Sequence, residues 1–150
     1  MTELITGYYF DVGQISKYHD WGAVRDITLK NGDQLNVVSL AGSTANGSQM
    51  ATMTAVDAVF ASLAQAEKSD DVSFTDMLEQ AVAAANHAVR GLELDDFSGC
   101  SVAVAIVVNG GQLYIAQVGS AGIYFVRKSK LTALSHVHQH ETIPFGETNT

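Results

Sequence analysis

A single cysteine, Cys100, stands in 150 residues, which excludes an intrachain disulfide framework and any multi-cysteine zinc site. Cations are scarce as well: eight Lys and Arg against sixteen Asp and Glu leave a formal charge of −8 and a pI near 4.8. A field of that sign repels phosphate backbones and anionic lipid, so nucleic acid and membrane surfaces are poor partners. No apolar run approaches the roughly 18 residues of a membrane span. Met1 to Gly7 lacks the basic and apolar regions of a secretory signal. These shortages predict a soluble, cytoplasmic protein. What remains is apolar, with 47% hydrophobic and 16% charged residues and a mean hydropathy of +0.11. That is too apolar for a disordered chain and too low in charge for a coiled coil. The length suits one packed domain, 1–150.

Patterning along the chain predicts the elements. Leu4 to Phe10 alternates as a strand does. Thr28–Lys30 and Leu35–Leu40 flank Asn31-Gly32, a dipeptide suited to a tight hairpin. Ala41 to Gly47 reads as a small-residue loop, and Met50, Met53, Val56, Val59, Phe60 and Leu63 then recur at helical spacing, predicting a first helix over 48–66. Ser73 with Asp76 resembles a capping box opening a second helix over 74–90, and Gly91 is placed to stop it. Its stripe is Phe74, Met77, Leu78, Ala81, Val82, Ala85 and Val89. Ser101–Val108 and Leu113–Val118 flank the turn Asn109-Gly110-Gly111, and Ile123–Arg127 and Leu131–Leu134 flank Lys128-Ser129-Lys130. Pro144 and the polar end give no further element. Strands, two successive helices and a meander of strands point to α+β with antiparallel sheet.

Several separated segments resemble the metal-dependent protein phosphatases of type 2C, in the order that family uses. Asp11-Val12-Gly13-Gln14-Ile15 is similar to its opening strand and G-x-V-R-x-x-N-E-D motif, and Val37 to Thr52 to V-A-D-G-M-G-G with G-E-x-A-S. Ala85-Asn86 matches an A-N pair, Ser98-Gly99-Cys100-Ser101 resembles the G-T-T segment, Leu113 to Tyr124 resembles L-x-I-A-N-V-G-D-S-R-A-Y, and Leu134 to Gln139 resembles L-T-x-D-H-S. The resemblance implies an antiparallel β-sandwich flanked by helices, a four-layer α/β/β/α arrangement. The family's later S-D-G and D-N segments are absent, so the chain is expected to be the front part of a longer protein or a shortened relative, incomplete at its C-terminus.

Family chemistry holds two metal ions in carboxylates and water, generates a hydroxide that attacks a phosphomonoester, and receives the phosphate on an Arg. By the resemblance, that Arg falls on Ser16, the Asn on His19, the Glu on Asp20 and the Asp on Trp21. The bridging Asp falls on Leu40 and the following Gly on Ala41; the Asp, Ser and Arg of V-G-D-S-R fall on Ser120, Ala121 and Gly122; the Asp of L-T-x-D-H-S falls on Val137, with His138 kept. A leucine side chain offers no oxygen to a hard cation. Two dications brought together need clustered negative charge, and of these positions only Asp20 is acidic. Glu67, Asp70, Asp71, Asp95 and Asp96 lie in predicted loops and read as solvated surface.

Other residues have plainer roles. Asp20 alone is one monodentate carboxylate, a poor metal site, and reads first as a polar loop residue. His136, His138 and His140 would share one face of an extended segment within reach of a transition metal, but a solvated strand edge is the simpler reading. His19 and His87 are isolated. Gly42 to Gly47 before Ser48 lacks the lysine of a phosphate-binding loop and reads as a turn. Ser120 lacks the glycine two positions before it that a nucleophile elbow requires. Cys100 reads as a small buried hydrophobe, and the Met50 and Met53 pair as core.

The resulting expectation is a phosphatase-like pseudoenzyme domain, without a catalytic set or cofactor, that binds or regulates a protein partner or the remainder of its own chain. Two alternatives stand beside it: a divergent serine/threonine phosphatase using Mg or Mn with ligands from elsewhere, and a homo-oligomeric module pairing through an exposed sheet edge.

Overall fold

A computed structural model describes residues 7, 20–43, 48–71, 73–95 and 99–134. The strand expected over Leu4–Phe10 lies outside these residues except for Gly7, as does everything beyond Leu134. The described elements run β1 (Trp21–Thr28), β2 (Gln34–Ser43), α1 (Gln49–Ala66), α2 (Phe74–Arg90), β3 (Cys100–Val108), β4 (Gln112–Val118), β5 (Tyr124–Arg127) and β6 (Lys130–Ala133). The class is α+β with antiparallel sheets, as expected.

Strands β1 to β4 form one sheet in the order β1-β2-β3-β4, and β5 with β6 forms a second. Every pairing is antiparallel. The two helices between β2 and β3 explain how neighbouring strands can run oppositely across so long a connection. One helix carries the chain away from the end of β2 and the next returns it, so Cys100 starts β3 opposite Ser43.

Both helices begin on a serine. The Ser48 hydroxyl accepts from the Ala51 amide at 3.2 Å, and that of Ser73 from the Asp76 amide at 3.3 Å, satisfying donors the first turn leaves free. Gly91 caps α2, but in the right-handed region at φ −66; the left-handed residue that redirects the chain is Glu93 at φ 50.

Alternation on each strand sends one set of side chains beneath the helices. On β2 these are Leu35, Val37, Ser39 and Ala41, on β3 Val102, Val104, Ile106 and Val108. They pack with Ala51, Ala55, Val56, Val59, Phe60 and Leu63 of α1 and with Met77, Leu78, Ala81, Ala85 and Val89 of α2. The Ser39 hydroxyl lies in this core without a hydrogen-bond partner among the described residues, which costs about 1–3 kcal/mol.

Three expectations for β1, β2 and α1 are corrected. First, β1 is not the short Thr28–Lys30 segment but runs back to Trp21; Arg25 masks its alternation, lying with its guanidinium 4.5 Å over the Phe60 ring. Second, the segment expected as a loop from Ala41 is strand over its first three residues, because β2 continues to Ser43 and buries Ala41; residues 44–47 lie outside the described residues. Third, Met50 and Met53 are not core: they are 59% and 37% exposed. The small side chains of Ala51, Thr52 and Ala55 are buried in their place, as a helix set close to a sheet requires.

The β5–β6 turn is tighter than its three expected residues. Arg127 pairs with Lys130, and Lys128 and Ser129 take φ 50 and 61, the doubly left-handed turn that matches hairpin twist. All eight strand residues of this hairpin are exposed.

Candidate functional site

At one end of the four-stranded sheet, β1 and β3 begin while β2 and β4 finish. Trp21 pairs with Ala41 and Gly22 with Leu40; Leu40 pairs in turn with Ala103, and Gly42 with Ser101. Val102 pairs with Val118, which brings Gly119 and Ser120 past Ser101. The register thus lays residues from all four strands side by side on the face away from the helices.

Asp20 stands immediately before β1. A side chain added at Gly42 would meet the Asp20 Oδ1 at 3.2 Å, so the carboxylate lies against bare backbone. Leu40, two residues before Gly42, therefore projects from the same face, with 41% of its surface exposed. Beyond Gly42, the Ser101 hydroxyl lies 2.9 Å from that of Ser120 and accepts from the Ser120 amide at 2.8 Å. Gly119 permits this closeness: it has φ 80 and a methyl group there would fall 2.5 Å from Ser101 Oγ. The Gln117 side-chain amide donates to the Gly119 carbonyl and braces the same turn.

Among the described residues, this end offers one carboxylate, two hydroxyls bonded to each other and an aliphatic side chain. Such a set does not fit a pair of divalent ions, which demand several anionic oxygens between them. Among the described residues no group of three or more His, Cys, Asp or Glu could hold a metal ion. Cys100, opposite Ser43, is buried, and burial pushes its thiol up to about 12, so it is not a nucleophile at neutral pH.

Of the positions singled out from sequence, Asp20, Trp21, Leu40, Ala41 and Ser120 gather here. Trp21 and Ala41 point to the helix side, where Ala41 is buried and Trp21 packs against the core. Ser16, His19, Val137, His136, His138 and His140 lie outside the described residues. His87 is on the exposed surface of α2. In sequence, Gly42 reads as the start of a turn, and Ser101 and Gly119 only as parts of segments of the resemblance; none of the three is expected at the site. The period of two from Leu40 to Gly42 was a usable signal; the pairing of Gly42 with Ser101 was not visible without the register.

Known proteins bear on the fold and the family. No curated protein matches the chain. A solved structure of a bacterial serine phosphatase with an arginine-to-glutamate substitution superposes with a TM-score of 0.63 at 16% identity, covering 93% of this chain and 64% of that one. A second, with an arginine-to-alanine substitution, gives 0.61 at 16% identity over the same shares. The chain therefore spans less than two thirds of the length of these structures, and at this identity the likeness speaks to fold alone. No described helix is long and apolar enough to cross a membrane. The profile described as Protein phosphatase 2C matches residues 27–145, well over half of the sequence, and with the antiparallel sheets and paired helices it establishes that the chain belongs to the protein phosphatase 2C family.

Proposed function

We propose that this chain is a pseudophosphatase domain: a family scaffold that has lost two-metal phosphoester hydrolysis and works in the cytoplasm as a regulatory module binding a protein partner. The observation that carries the reading is Leu40. It projects beside Asp20 from the same sheet face, at the position where the resemblance puts the bridging carboxylate. An aliphatic group there supplies no oxygen to share between two cations, and the nearest groups along the sheet end, Ser101 and Ser120, are neutral hydroxyls engaged with each other. A lone carboxylate, Asp20, would be left to oppose the repulsion between two dications.

Calorimetric titration with manganese or magnesium, run beside an aryl phosphate assay, tests this. The expected result is no saturable two-ion binding and no metal-dependent turnover. Saturable uptake of two ions with turnover overturns it.

A second reading, a divergent serine/threonine phosphatase, is favoured by one feature: the Asp20 carboxylate lies open against Gly42 at the sheet end. In that case Asp20→Asn abolishes metal-dependent turnover, whereas on the first reading it changes nothing in the assay.

A further inference from the structure

The β5–β6 hairpin concentrates positive charge that the rest of the described chain leaves unpaired. Arg127, Lys128 and Lys130 are three of the eight Lys and Arg in the sequence. Arg127 and Lys130 are direct cross-strand partners, a like-charge pairing that destabilises an antiparallel ladder. Sixteen acidic residues are available in the chain, yet none pairs with these cations among the described residues, where the ion pair found joins Lys30 and Asp70.

Strand alternation divides the hairpin into two faces. Tyr124, Val126, Leu131 and Ala133 share one; Phe125, Arg127, Lys130 and Thr132 share the other. The second face, together with Lys128, lines an open groove of about 530 Å³. Phe125 is 44% exposed there, so the groove combines three cations with an uncovered aromatic ring.

We propose that this groove docks an acidic segment of a partner protein, with carboxylates paired to Arg127, Lys128 and Lys130 and an apolar side chain set against Phe125. Opposite charge relieves the mutual repulsion of the Arg127–Lys130 pair, and the guanidinium takes a carboxylate in two parallel hydrogen bonds. A short segment fits better than a polyphosphate chain. The basic patch covers a few residues, whereas a nucleic acid would run on past it across a surface that carries the chain's net charge of −8. The inference rests on the protein-binding half of the proposed function and not on the loss of hydrolysis.

Fluorescence anisotropy of the whole chain against a labelled peptide of Asp and Glu around a single Leu is the direct test. Binding is expected to saturate and to weaken by about tenfold or more as salt rises from about 0.05 M to about 0.3 M. The double reversal R127E/K130E is expected to lose at least about tenfold in affinity, and Phe125→Ser several-fold with the salt dependence retained. Far-UV circular dichroism checks that each variant keeps its fold, and the milder Lys128→Ala provides a second reading of the same charge. Absence of saturable binding by the unaltered chain, or binding indifferent to R127E/K130E, overturns the proposal. So does tighter binding of a single-stranded oligonucleotide of equal charge. The aryl phosphate assay on the same preparation separates the two ideas: turnover with peptide binding intact sinks only the loss of hydrolysis, and failed peptide binding without turnover sinks only the groove.

Discussion

The two ends of the four-stranded sheet are joined in different ways. At the turn end, side-chain amides knit two hairpins together. Asn109 Oδ1 accepts from the Gln34 amide at 2.9 Å, Asn109 Nδ2 donates to Asp33 at 2.9 Å, and the Asp33 amide donates to Asn31 at 2.9 Å. At the other end the ties run through hydroxyls: Ser101 bonds Ser120 across β3 and the residue after β4, the Ser43 hydroxyl at the end of β2 donates to the Gly99 carbonyl at 3.4 Å, and Asp20 rests on Gly42 without an ion-pair partner among the described residues. The difference teaches where this domain keeps its cross-links. The turn end is tied by amides and a carboxylate and the site end by neutral hydroxyls; the side chains of Asp20 and Leu40 take no part in these ties among the described residues, so those two positions could change chemically while the pairing register stayed put.

The comparison breaks most visibly at Gly119. Gly119→Ala forces an L side chain into φ 80 and sets its methyl 2.5 Å from Ser101 Oγ. Ser101 can retreat only by surrendering both bonds to Ser120. Left-handed strain and overpacking together predict a loss of about 3 kcal/mol, read by urea denaturation. A loss under about 1 kcal/mol would mean that β3 and the β4 turn are not in close contact and that the site end is looser than described.

At the turn end, Asn109→Ala should cost about 2 kcal/mol, since it removes two side-chain bonds and places alanine in the left-handed region. The residue has φ 49. Asn109→Gly keeps that conformation and should recover about half of the loss. Equal losses in the two variants would show that backbone strain contributes nothing there, leaving the amide network alone to account for the turn's rigidity.

Cys100 sharpens the contrast through pH. Its thiol rises from 9.0 to about 12 on burial, so folding favours the protonated form. The associated stability is complete below the unfolded value of 9.0 and is lost as pH climbs toward the folded value of about 12. Within that window the unfolded chain binds fewer protons, and stability falls by up to about 1.4 kcal/mol per pH unit. Cys100→Ala should flatten the slope between pH 9.0 and about 12 in urea titrations. An unchanged slope would show that the start of β3 opens to solvent.

Much of this architecture was legible in the sequence for identifiable reasons. The helices expected over 48–66 and 74–90 match α1 and α2 nearly to the residue, because serine caps and a period of 3.6 mark both ends and faces. Asn31-Gly32 and Asn109-Gly110-Gly111 announced two hairpins through residues that tolerate left-handed backbone. β1 stayed hidden because a cation on the helix side, Arg25, breaks the apolar alternation. Met50 and Met53 misled because spacing cannot tell which of two adjacent stripes faces the sheet. For the site, the resemblance pointed to Asp20, Leu40 and Ser120, which the strand register places at one end of the sheet. That Ser101 and Gly42 are neighbours was not legible, because only strand register joins residues so far apart in sequence.

The smallest change in stability carries the most information about function. Leu40 is 41% exposed and pairs with Gly22 and Ala103, so Leu40→Asp should cost under about 1 kcal/mol. It sets a second carboxylate on the face where Asp20 already lies against Gly42. Two carboxylates with backbone oxygen and water make a weak single-ion site, with dissociation expected on the order of 10⁻⁴ to 10⁻³ M. Manganese should then broaden the amide NMR signals of Trp21 and Gly42 in a saturable way, without aryl phosphate turnover, because one ion cannot both activate water and stabilise the leaving oxygen as a pair does. Adding Asp20→Asn to the same protein should abolish that broadening. If the double variant binds manganese as well as the single one does, Asp20 and position 40 do not share a site, and the poverty of negative oxygen at this end of the sheet cannot be what separates it from a working metal centre.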